Sequence, residues 1–243
     1  MVIYIAHLYY DLMNLYGEIG NVKVLLDTIE KQGIKVVIDR LSIGDKIDFN
    51  KYDFIYIGSG TEENQLIVLK DIIRYKNKVK EYIENNKYIL STGNSCELFG
   101  KSIYDGKNKH TALGIFDYNA KKINNRIVGD IIVNSSIINN KIIGFQNQGS
   151  NIFENNNTMF DIVLGNENKN EGINYNNFYG TYILGPILVR NPKFNEYIVN
   201  GLIKSKYNDF KLKKINNKFD NEAYKQYLIN YHKNIIDWKN IKM

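Results

Sequence analysis

Short apolar runs alternate with longer amphipathic segments over the first hundred residues. Four of the runs have the length and composition of buried strands; they cover residues 2–6, 34–38, 54–57 and 88–90. The segments between them carry apolar residues at helical spacing, which predicts helices at residues 21–32, 61–74 and 79–85. Strands that alternate with helices at this spacing indicate βαβ units and a mostly parallel sheet.

The pattern changes after Gly100. Short β-type runs separated by glycine and asparagine predict mixed or antiparallel strands; these runs are residues 127–135, 141–146 and 161–164. An apolar, aromatic segment at residues 178–188 is interrupted by Gly185-Pro186. A helix is predicted from Pro192 onward, with Pro192 at its start.

A lysine-rich connector, residues 204–218, leads to a final predicted helix at residues 221–238. No long Pro- or Ser-rich linker divides the chain. We therefore predict one α/β domain over residues 1–203 and a C-terminal helical extension, residues 204–243, packed on the same domain.

Composition narrows the class of protein. The chain has 243 residues, 44% of them hydrophobic, which is enough for one sizeable α/β core. No run of about 18 apolar residues occurs and the N-terminus has no signal-peptide pattern, so no membrane span is expected. With Cys96 as its single cysteine, the chain has no intrachain disulfide. A reducing, cytoplasmic location is the simplest prediction.

The net charge of +6 does not indicate a nucleic-acid partner. The lysines are spread along the chain among asparagine, isoleucine and tyrosine, which is typical of solvated surfaces. No segment has the clustered basic and aromatic residues that a nucleic-acid groove requires. Histidine, cysteine and acidic residues also lack zinc-like spacing. We predict no metal and no cofactor.

Residues 88–101, YILSTGNSCELFGK, have the form of a nucleophile elbow. A short strand stops at Ser91-Thr92-Gly93-Asn94-Ser95, a helical-looking stretch follows, and Gly100 closes it. Enzymes often place a nucleophile at such a strand-to-helix turn. Cys96 lies several residues past the position where a nucleophile is expected.

Five segments in order resemble one family: HLYYDLMNLYGEIGN (7–21), YDFIYIGSGTEENQ (52–65), NNRIVGDIIV (124–133), GFQNQGS (144–150) and YGTYILGPILVRNP (179–192). They resemble the class I glutamine amidotransferases of the cobyric-acid-synthase-like branch, and within it the glutaminase subunits of lipid II isoglutaminyl synthases, which modify a bacterial cell-wall precursor. The resemblance implies a flavodoxin-like three-layer α/β/α domain. It also implies glutamine hydrolysis and delivery of ammonia to a Mur-ligase-like, ATP-using partner.

That chemistry needs a thiolate nucleophile, a histidine base and backbone N–H groups that stabilise the oxyanion. In the family the cysteine ends the strand and the histidine lies in Gly-Thr-Tyr-x-His-Gly-Pro. Counting from the strand places the nucleophile at Thr92, and counting back from Gly100 places it at Gly93. GTYILGPIL matches without a gap and places the histidine at Leu184.

These substitutions remove the usual chemistry. Threonine without a base is a poor nucleophile, and leucine accepts no proton. Cys96 is either a buried core residue, as free cysteines commonly are, or a relocated nucleophile that uses His7 or His110 as its base. Gln148 in GFQNQGS and Asn151 directly after it stand where the resemblance to the family implies a histidine and a later arginine.

Ligand-binding candidates lie where such folds bind ligands, at the carboxyl ends of the strands. They are Gly58, Ser59, Gly60, Gly93, Asn94, Arg126 and Gln148. The loop at Gly58–Gly60 either offers N–H groups to an oxyanion or anion, or is a tight turn with Thr61 as helix N-cap. Arg126 matches an arginine that shapes the family's substrate side, with a surface role as the alternative.

Polar residues also crowd the first strand-to-helix loop; they are Asp11, Asn14, Tyr16, Glu18 and Asn21. They suit a binding site or partner surface, and equally a capped helix start. Asp11 and Glu18 are a further possible carboxylate pair.

Two functions follow. The first is an amidotransferase-family subunit without Cys–His glutaminase chemistry, paired with the Mur-ligase-like protein. The second is a non-catalytic regulatory or scaffold subunit, or one that binds a glutamine-like small ligand in the old pocket.

Overall fold

The computed structural model describes residues 1–232 and is built on eleven strands and six α-helices within that range. The strands are β1 (Val2–Leu8), β2 (Lys35–Leu41), β3 (Phe54–Ile57), β4 (Tyr88–Thr92), β5 (Ser102–Tyr104), β6 (Lys109–Thr111), β7 (Asn119–Ser135), β8 (Asn140–Phe153), β9 (Thr158–Leu164), β10 (Asn170–Tyr175) and β11 (Phe178–Thr181). The helices are α1 (Ile19–Lys31), α2 (Glu62–Ile72), α3 (Lys76–Glu84), α4 (Ile187–Arg190), α5 (Pro192–Lys206) and α6 (Lys218–His232).

The strands form a single mixed sheet in the order β2-β1-β3-β4-β11-β10-β9-β7-β5-β6, with β8 paired to β7. The first five of these strands are parallel to their neighbours, and from β11 to β8 the pairing is antiparallel. The pair β5–β7 is parallel. The α/β fold predicted from the sequence, with parallel strands in its first half and mixed or antiparallel strands after Gly100, is confirmed.

Alternate residues of the parallel strands enter two separate cores. On β3, Phe54 and Tyr56 pack with α1 and α5, whereas Ile55 and Ile57 pack with α2 and α3. This alternation follows from the two-residue period of a strand. Apolar runs buried on both faces are typical of a sheet covered by helices on both sides. The result is a three-layer α/β/α arrangement with the sheet in the middle.

Several elements differ from their predicted bounds. The helix predicted at residues 61–74 ends at Ile72, and a 3₁₀ turn, Ile73–Tyr75, leads directly into α3. The stretch after β4 is a 3₁₀ helix, Gly93–Phe99, rather than an α-helix. Thr61 is the N-cap of α2, because its side chain accepts a hydrogen bond from Asn64 N.

The sequence pattern missed short or polar elements of the second half. They are β5, β6, β10, α4 and the first half of β7. The missed part of β7 includes Lys121 and Lys122, which are exposed and interrupt any apolar alternation. Its pairing with β8 shifts register between Lys122 and Ile127, where residues 123–126 stand opposite the single residue Gly149 in an enlarged bulge.

α6 packs on the distal part of the sheet. Tyr224 and Leu228 form a small third core with Ile132 of β7 and Ile143 of β8. The Tyr224 hydroxyl also donates to the Lys141 carbonyl (2.9 Å). The predicted continuation of this helix to residue 238 lies outside the described residues. No helix within residues 1–232 has the length and apolar character needed to cross a bilayer.

Replacing Phe178 by alanine tests the core beneath the elbow. Phe178 is fully buried, and its ring centroid lies 4.6 Å from that of Phe99 and 4.8 Å from that of Phe116. Phe178→Ala should lower the free energy of unfolding by about 3–5 kcal/mol, because a cavity replaces a packed ring. Phe219→Ala is the matched control; Phe219 is 87% exposed, and its loss should change stability by less than about 0.5 kcal/mol. Urea unfolding measures both, and equal effects would contradict this packing.

Candidate functional site at the carboxyl end of the sheet

The elbow follows β4, where the chain turns into the 3₁₀ helix Gly93–Phe99. Thr92 has extended backbone geometry (φ −115°, ψ 148°), whereas Gly93 has φ +63°. In a nucleophile elbow the nucleophile occupies the strained position of the turn. The left-handed position here is Gly93, where glycine carries no steric penalty. Of the two counts that the sequence allows, the one made back from Gly100 agrees with this geometry.

The side chain of Leu184 faces that position. A Cβ atom added to Gly93 would lie 3.1 Å from Leu184 Cδ2 and 2.3 Å from Ser59 Oγ. Leu184 is buried and is fixed to β8, because its N–H donates to the Phe145 carbonyl (2.8 Å) and its carbonyl accepts from Phe145 N (3.2 Å). The elbow position and the expected histidine position are therefore in contact, and they hold glycine and leucine.

The side chain of Thr92 points to a different set of groups, centred on Glu18. Its hydroxyl donates to Glu18 Oε2, and Tyr56 also donates to this oxygen (2.9 Å). Asn21 Nδ2 reaches both Glu18 Oε2 (3.2 Å) and the Tyr56 hydroxyl (2.9 Å). The other oxygen, Glu18 Oε1, accepts from Gly185 N (3.3 Å). We call Glu18, Asn21, Tyr56 and Thr92 the Glu18 cluster.

The Glu18 cluster lies in the protein interior. Glu18 and Thr92 are both fully buried. Burial raises the pKa of Glu18 from 4.5 to about 7, while its hydrogen bonds from Thr92, Tyr56 and Gly185 oppose the rise. The carboxyl can therefore hold a proton near neutral pH. It accepts from the threonine hydroxyl through Oε2 and from Gly185 N, next to Leu184, through Oε1.

The other candidates of the first loop have separate roles. Asn14 Oδ1 accepts from Ile19 N (2.9 Å) at the start of α1. Asp11 accepts from the Ser42 hydroxyl (2.6 Å) near the surface, so Asp11 and Glu18 do not form a carboxylate pair. Tyr16 is half exposed and lines the cleft described below.

Cys96 lies one turn past the elbow and is fully buried. Burial raises the pKa of its thiol well above the ordinary value, and the nearby carboxylates of Glu97 and Glu171 add to the rise. A thiol in such surroundings stays protonated and is a weak nucleophile.

Neither candidate base serves Cys96. Both ring nitrogens of the buried His7 lack a hydrogen-bond partner within the described part of the chain. Burial lowers the pKa of this histidine to about 4, and the positive charge of Arg40 contributes. The Nε2 atom of His110 lies 2.8 Å from Asp105 Oδ2, in a local hydrogen bond five residues away in the chain. Neither His7 nor His110 therefore hydrogen-bonds to Cys96 in the described part of the chain.

The loop Gly58–Gly60 is tied to the elbow by Asn94. Gly60 N donates to Asn94 Oδ1 and Asn94 Nδ2 donates to the Gly60 carbonyl, each at 3.0 Å. A Cβ on Gly58 would lie 2.4 Å from the Met13 carbonyl, so glycine is needed there for close approach of two backbones. The Gly60 N–H is already used within the protein and is not free for an oxyanion.

Most of the predicted ligand-binding residues do meet around one cleft. Its volume is about 230 Å³, and its walls include Ser59, Gly60, Asn94, Arg126 and Gln148. Gly58 and Gly93 are not among the wall residues; a Cβ atom on Gly93 would contact Ser59 of the wall, and one on Gly58 would meet the Met13 carbonyl.

Arg126 reaches across this cleft from β7. Its guanidinium forms an ion pair with Glu62 at the start of α2, and its Nη1 donates to Asn147 Oδ1 (2.9 Å). The positive charge that could attract a ligand carboxylate is thus balanced by Glu62. Within residues 1–232, no three His, Cys, Asp or Glu side chains converge on a metal position.

Glu97 is a buried site residue that the sequence analysis did not single out. Its carboxylate accepts from Gln65 Nε2 (2.9 Å), the Tyr182 hydroxyl (2.9 Å) and the Ser150 hydroxyl. Burial raises its pKa, and the three donors oppose that rise. Glu97 joins the elbow helix to α2, β8 and the end of β11. The sequence offers one signal for a role of Glu97: an acidic residue directly follows the lone cysteine in the otherwise apolar stretch CELF.

Glu18→Gln tests the protonation of the Glu18 cluster. Because the folded-state pKa of Glu18 is raised to about 7, its contribution to stability is fully present below about pH 4.5 and is lost as pH rises through 7. A shift of this size corresponds to about 3 kcal/mol. The Glu18→Gln variant cannot ionise at this position. Between pH 4.5 and 8 its free energy of unfolding should therefore fall by about 3 kcal/mol less than that of the wild type.

Urea unfolding at several pH values measures the slope of the free energy of unfolding against pH. Glu30→Gln, which changes an exposed carboxylate on α1, should keep the wild-type slope. An unchanged slope in Glu18→Gln would contradict the assignment of a protonated, buried carboxyl.

Known proteins resemble this chain over most of its length. It is 33% identical over 211 residues to the GatD subunit of lipid II isoglutaminyl synthase (glutamine-hydrolyzing) of Streptococcus pneumoniae, covering 84% of this chain and 81% of the relative. It is 32% identical over 230 residues to the GatD subunit of Staphylococcus aureus, covering 93% of this chain and 94% of the relative.

Solved structures share the fold. A glutamine amidotransferase from Thermotoga maritima superposes with a TM-score of 0.54 at 14% identity, over 93% of this chain and 91% of the other. A second glutamine amidotransferase superposes with a TM-score of 0.53 at 10% identity, over 81% of this chain and 98% of the other.

The sequence pattern of the CobB/CobQ-like glutamine amidotransferase domain matches residues 4–192. This match covers the sheet, the elbow and the Leu184 segment, and it agrees with the relatives and with the shared fold. The chain belongs to the CobB/CobQ-like glutamine amidotransferase family.

Proposed function

We propose that this chain is the amidotransferase-family subunit of a lipid II-amidating complex and that it does not hydrolyse glutamine by Cys–His chemistry. The role in the complex is supported by its similarity to two GatD subunits. The observation that carries the loss of thiol chemistry is the contact between Gly93 and Leu184, since a side chain on Gly93 would touch Leu184. Neither residue can attack an amide or carry a proton.

A Mur-ligase-like, ATP-using protein is the partner in this proposal, and the cytoplasm is the location. The relatives are named as subunits of a synthase, and a subunit that supplies no reacting group acts through its partner. Cys96 is fully buried, its thiol pKa is raised, and neither His7 nor His110 is its partner among the described residues, which supports this interpretation over a relocated thiol mechanism.

The second candidate function is a non-catalytic regulatory or scaffold subunit, or a protein that binds a glutamine-like small molecule. The observation in favour of ligand binding is the cleft of about 230 Å³ beside the elbow. Its wall groups are hydrogen-bonding and mostly uncharged, apart from the balanced pair of Arg126 and Glu62. This arrangement would accept a small polar molecule without reacting with it.

Glutamate release from L-glutamine tests the absence of hydrolysis. The purified chain, alone and with its ligase-like partner, should release no more glutamate than a buffer blank, and Cys96→Ala should behave identically. Amidation by the complex should proceed with ammonium chloride as nitrogen source but not with glutamine.

Two outcomes would overturn this proposal. Turnover that disappears in Cys96→Ala would establish a relocated thiol nucleophile, and turnover that survives there but disappears in Thr92→Ala would establish threonine chemistry. The thermal unfolding midpoint of each variant shows whether a lost activity is only a lost fold.

Co-purification separates a subunit from a free-standing binder. The tagged chain should retain the ligase-like protein encoded by the same genome through size-exclusion chromatography. Failure of the two proteins to form a complex at micromolar concentration would contradict the subunit role and leave the ligand-binding function.

A further inference from the structure

A strip of β7 and β8 lies uncovered between α6 and the cleft beside the elbow, within residues 1–232. The ladder of the two strands is regular from Ile127 to Ser135, so Val128 and Ile132 point to the same side of the sheet, about 13 Å apart. Ile132 is buried under Leu228 of α6, whereas Val128 is 59% exposed. No other large apolar side chain of a described strand is as exposed.

This strip borders the cleft. Val128 stands opposite Asn147 of β8, and Asn147 is one of the cleft's wall residues. The Asn147 side chain also accepts from Arg126, a second wall residue (2.9 Å). A group that lies on Val128 therefore also lies at the rim of the cleft.

α6 runs toward the strip. The Tyr224 hydroxyl donates to the carbonyl of Lys141 (2.9 Å), which stands opposite Asn134 of β7. One turn later Tyr227 interacts with Asp130, which is four residues closer to the strip along β7. The C-terminal end of α6 therefore points to the uncovered strip.

The chain that follows α6 is long enough to cover this strip. Residues 233–243, KNIIDWKNIKM, lie outside the described range. Because a helix rises about 1.5 Å per residue, about nine residues beyond Leu228 span the distance from Ile132 to Val128. Trp238 stands ten residues beyond Leu228 in the sequence.

The apolar pattern of α6 also continues as far as Trp238. Tyr224 and Leu228 pack in the third core. Tyr231, Ile235 and Trp238 follow at intervals of three or four residues. Such spacing is typical of one apolar face of a helix. The stripe that packs on the sheet in α6 thus continues, in the sequence, to a large aromatic residue.

We propose that residues 233–243 form a strap that lies on the uncovered strip, with Trp238 against Val128, and covers the rim of the cleft at Asn147. The strap restricts entry to the cleft in the free chain, and a molecule enters when the strap leaves. This contact is independent of whether the chain hydrolyses glutamine.

The fluorescence of Trp238 tests the contact directly, because the chain has no other tryptophan. In the native wild-type chain its emission should lie at shorter wavelength than in the urea-unfolded chain. Acrylamide should also quench it less, since the ring is removed from water. Identical emission and quenching in the two states would overturn the proposal.

Dilution identifies the occupant of the strip. The protection of Trp238 from acrylamide should be the same at micromolar and at nanomolar protein concentration, because the strap belongs to the same chain. Protection that disappears on dilution would assign the strap to a second copy of the chain and overturn the intrachain contact.

Val128→Asp locates the contact. A carboxylate opposes burial of the indole ring, so this variant should shift the ratio of docked to undocked strap by at least about tenfold. Its emission should then approach that of the unfolded chain. Phe153→Asp is the matched control, since Phe153 is a 42% exposed apolar residue at the far end of β8. An unchanged emission in Val128→Asp, or an equal change in Phe153→Asp, would overturn the docking position.

Thiol labelling covers the case in which Val128→Asp does not fold, because its variants keep Val128. The native Cys96 is buried, so Asn147→Cys introduces one accessible thiol at the rim of the cleft. Adding Trp238→Gln should speed its labelling by Ellman's reagent at least about tenfold, because the burial that holds the strap is lost. Labelling of Phe153→Cys should not change with Trp238→Gln. Equal rates for Asn147→Cys with and without Trp238→Gln would overturn the proposal.

Discussion

The buried carboxyl of Glu18 determines the arrangement of the elbow end of the sheet. A carboxyl removed from water is costly unless donors surround its oxygens. Its donors come from β3, from the end of β4 and from the segment after β11, through Tyr56, Thr92 and Gly185. Glu18 itself immediately precedes α1, so one group fixes four segments. The position of Gly93 against Leu184 depends on the segments held in this way.

The parallel half of the fold could be predicted because its signals are local. A short apolar run such as Phe54–Ile57 is buried on both faces, and helices with periodic apolar faces separate these runs. The hairpin of β7 and β8 lacks such signals. Exposed lysines and asparagines occupy the first half of β7, and only pairing with β8 makes it a strand. Tertiary pairing, rather than local preference, determines its length.

Part of the candidate site could also be predicted from the sequence. The ungapped GTYILGPIL match identified Leu184, and the cleft collects Ser59, Gly60, Asn94, Arg126 and Gln148. A residue count cannot reveal a backbone angle, so the choice between Thr92 and Gly93 needed the structure. Glu18 and Thr92 are 74 residues apart in the chain, so their contact has no local sequence signature.

The pairing of β4 with β11 makes the elbow a late product of folding. These strands are adjacent in the sheet, with Thr92 opposite Thr181, yet strands β5 to β10 lie between them in the chain. Closing so long a loop costs entropy before the contact stabilises anything. During synthesis, the first half of the chain contains every residue of the elbow but not β11, the strand that borders it. The elbow is completed only after the antiparallel half has been made, so a chain truncated before β11 lacks a formed site.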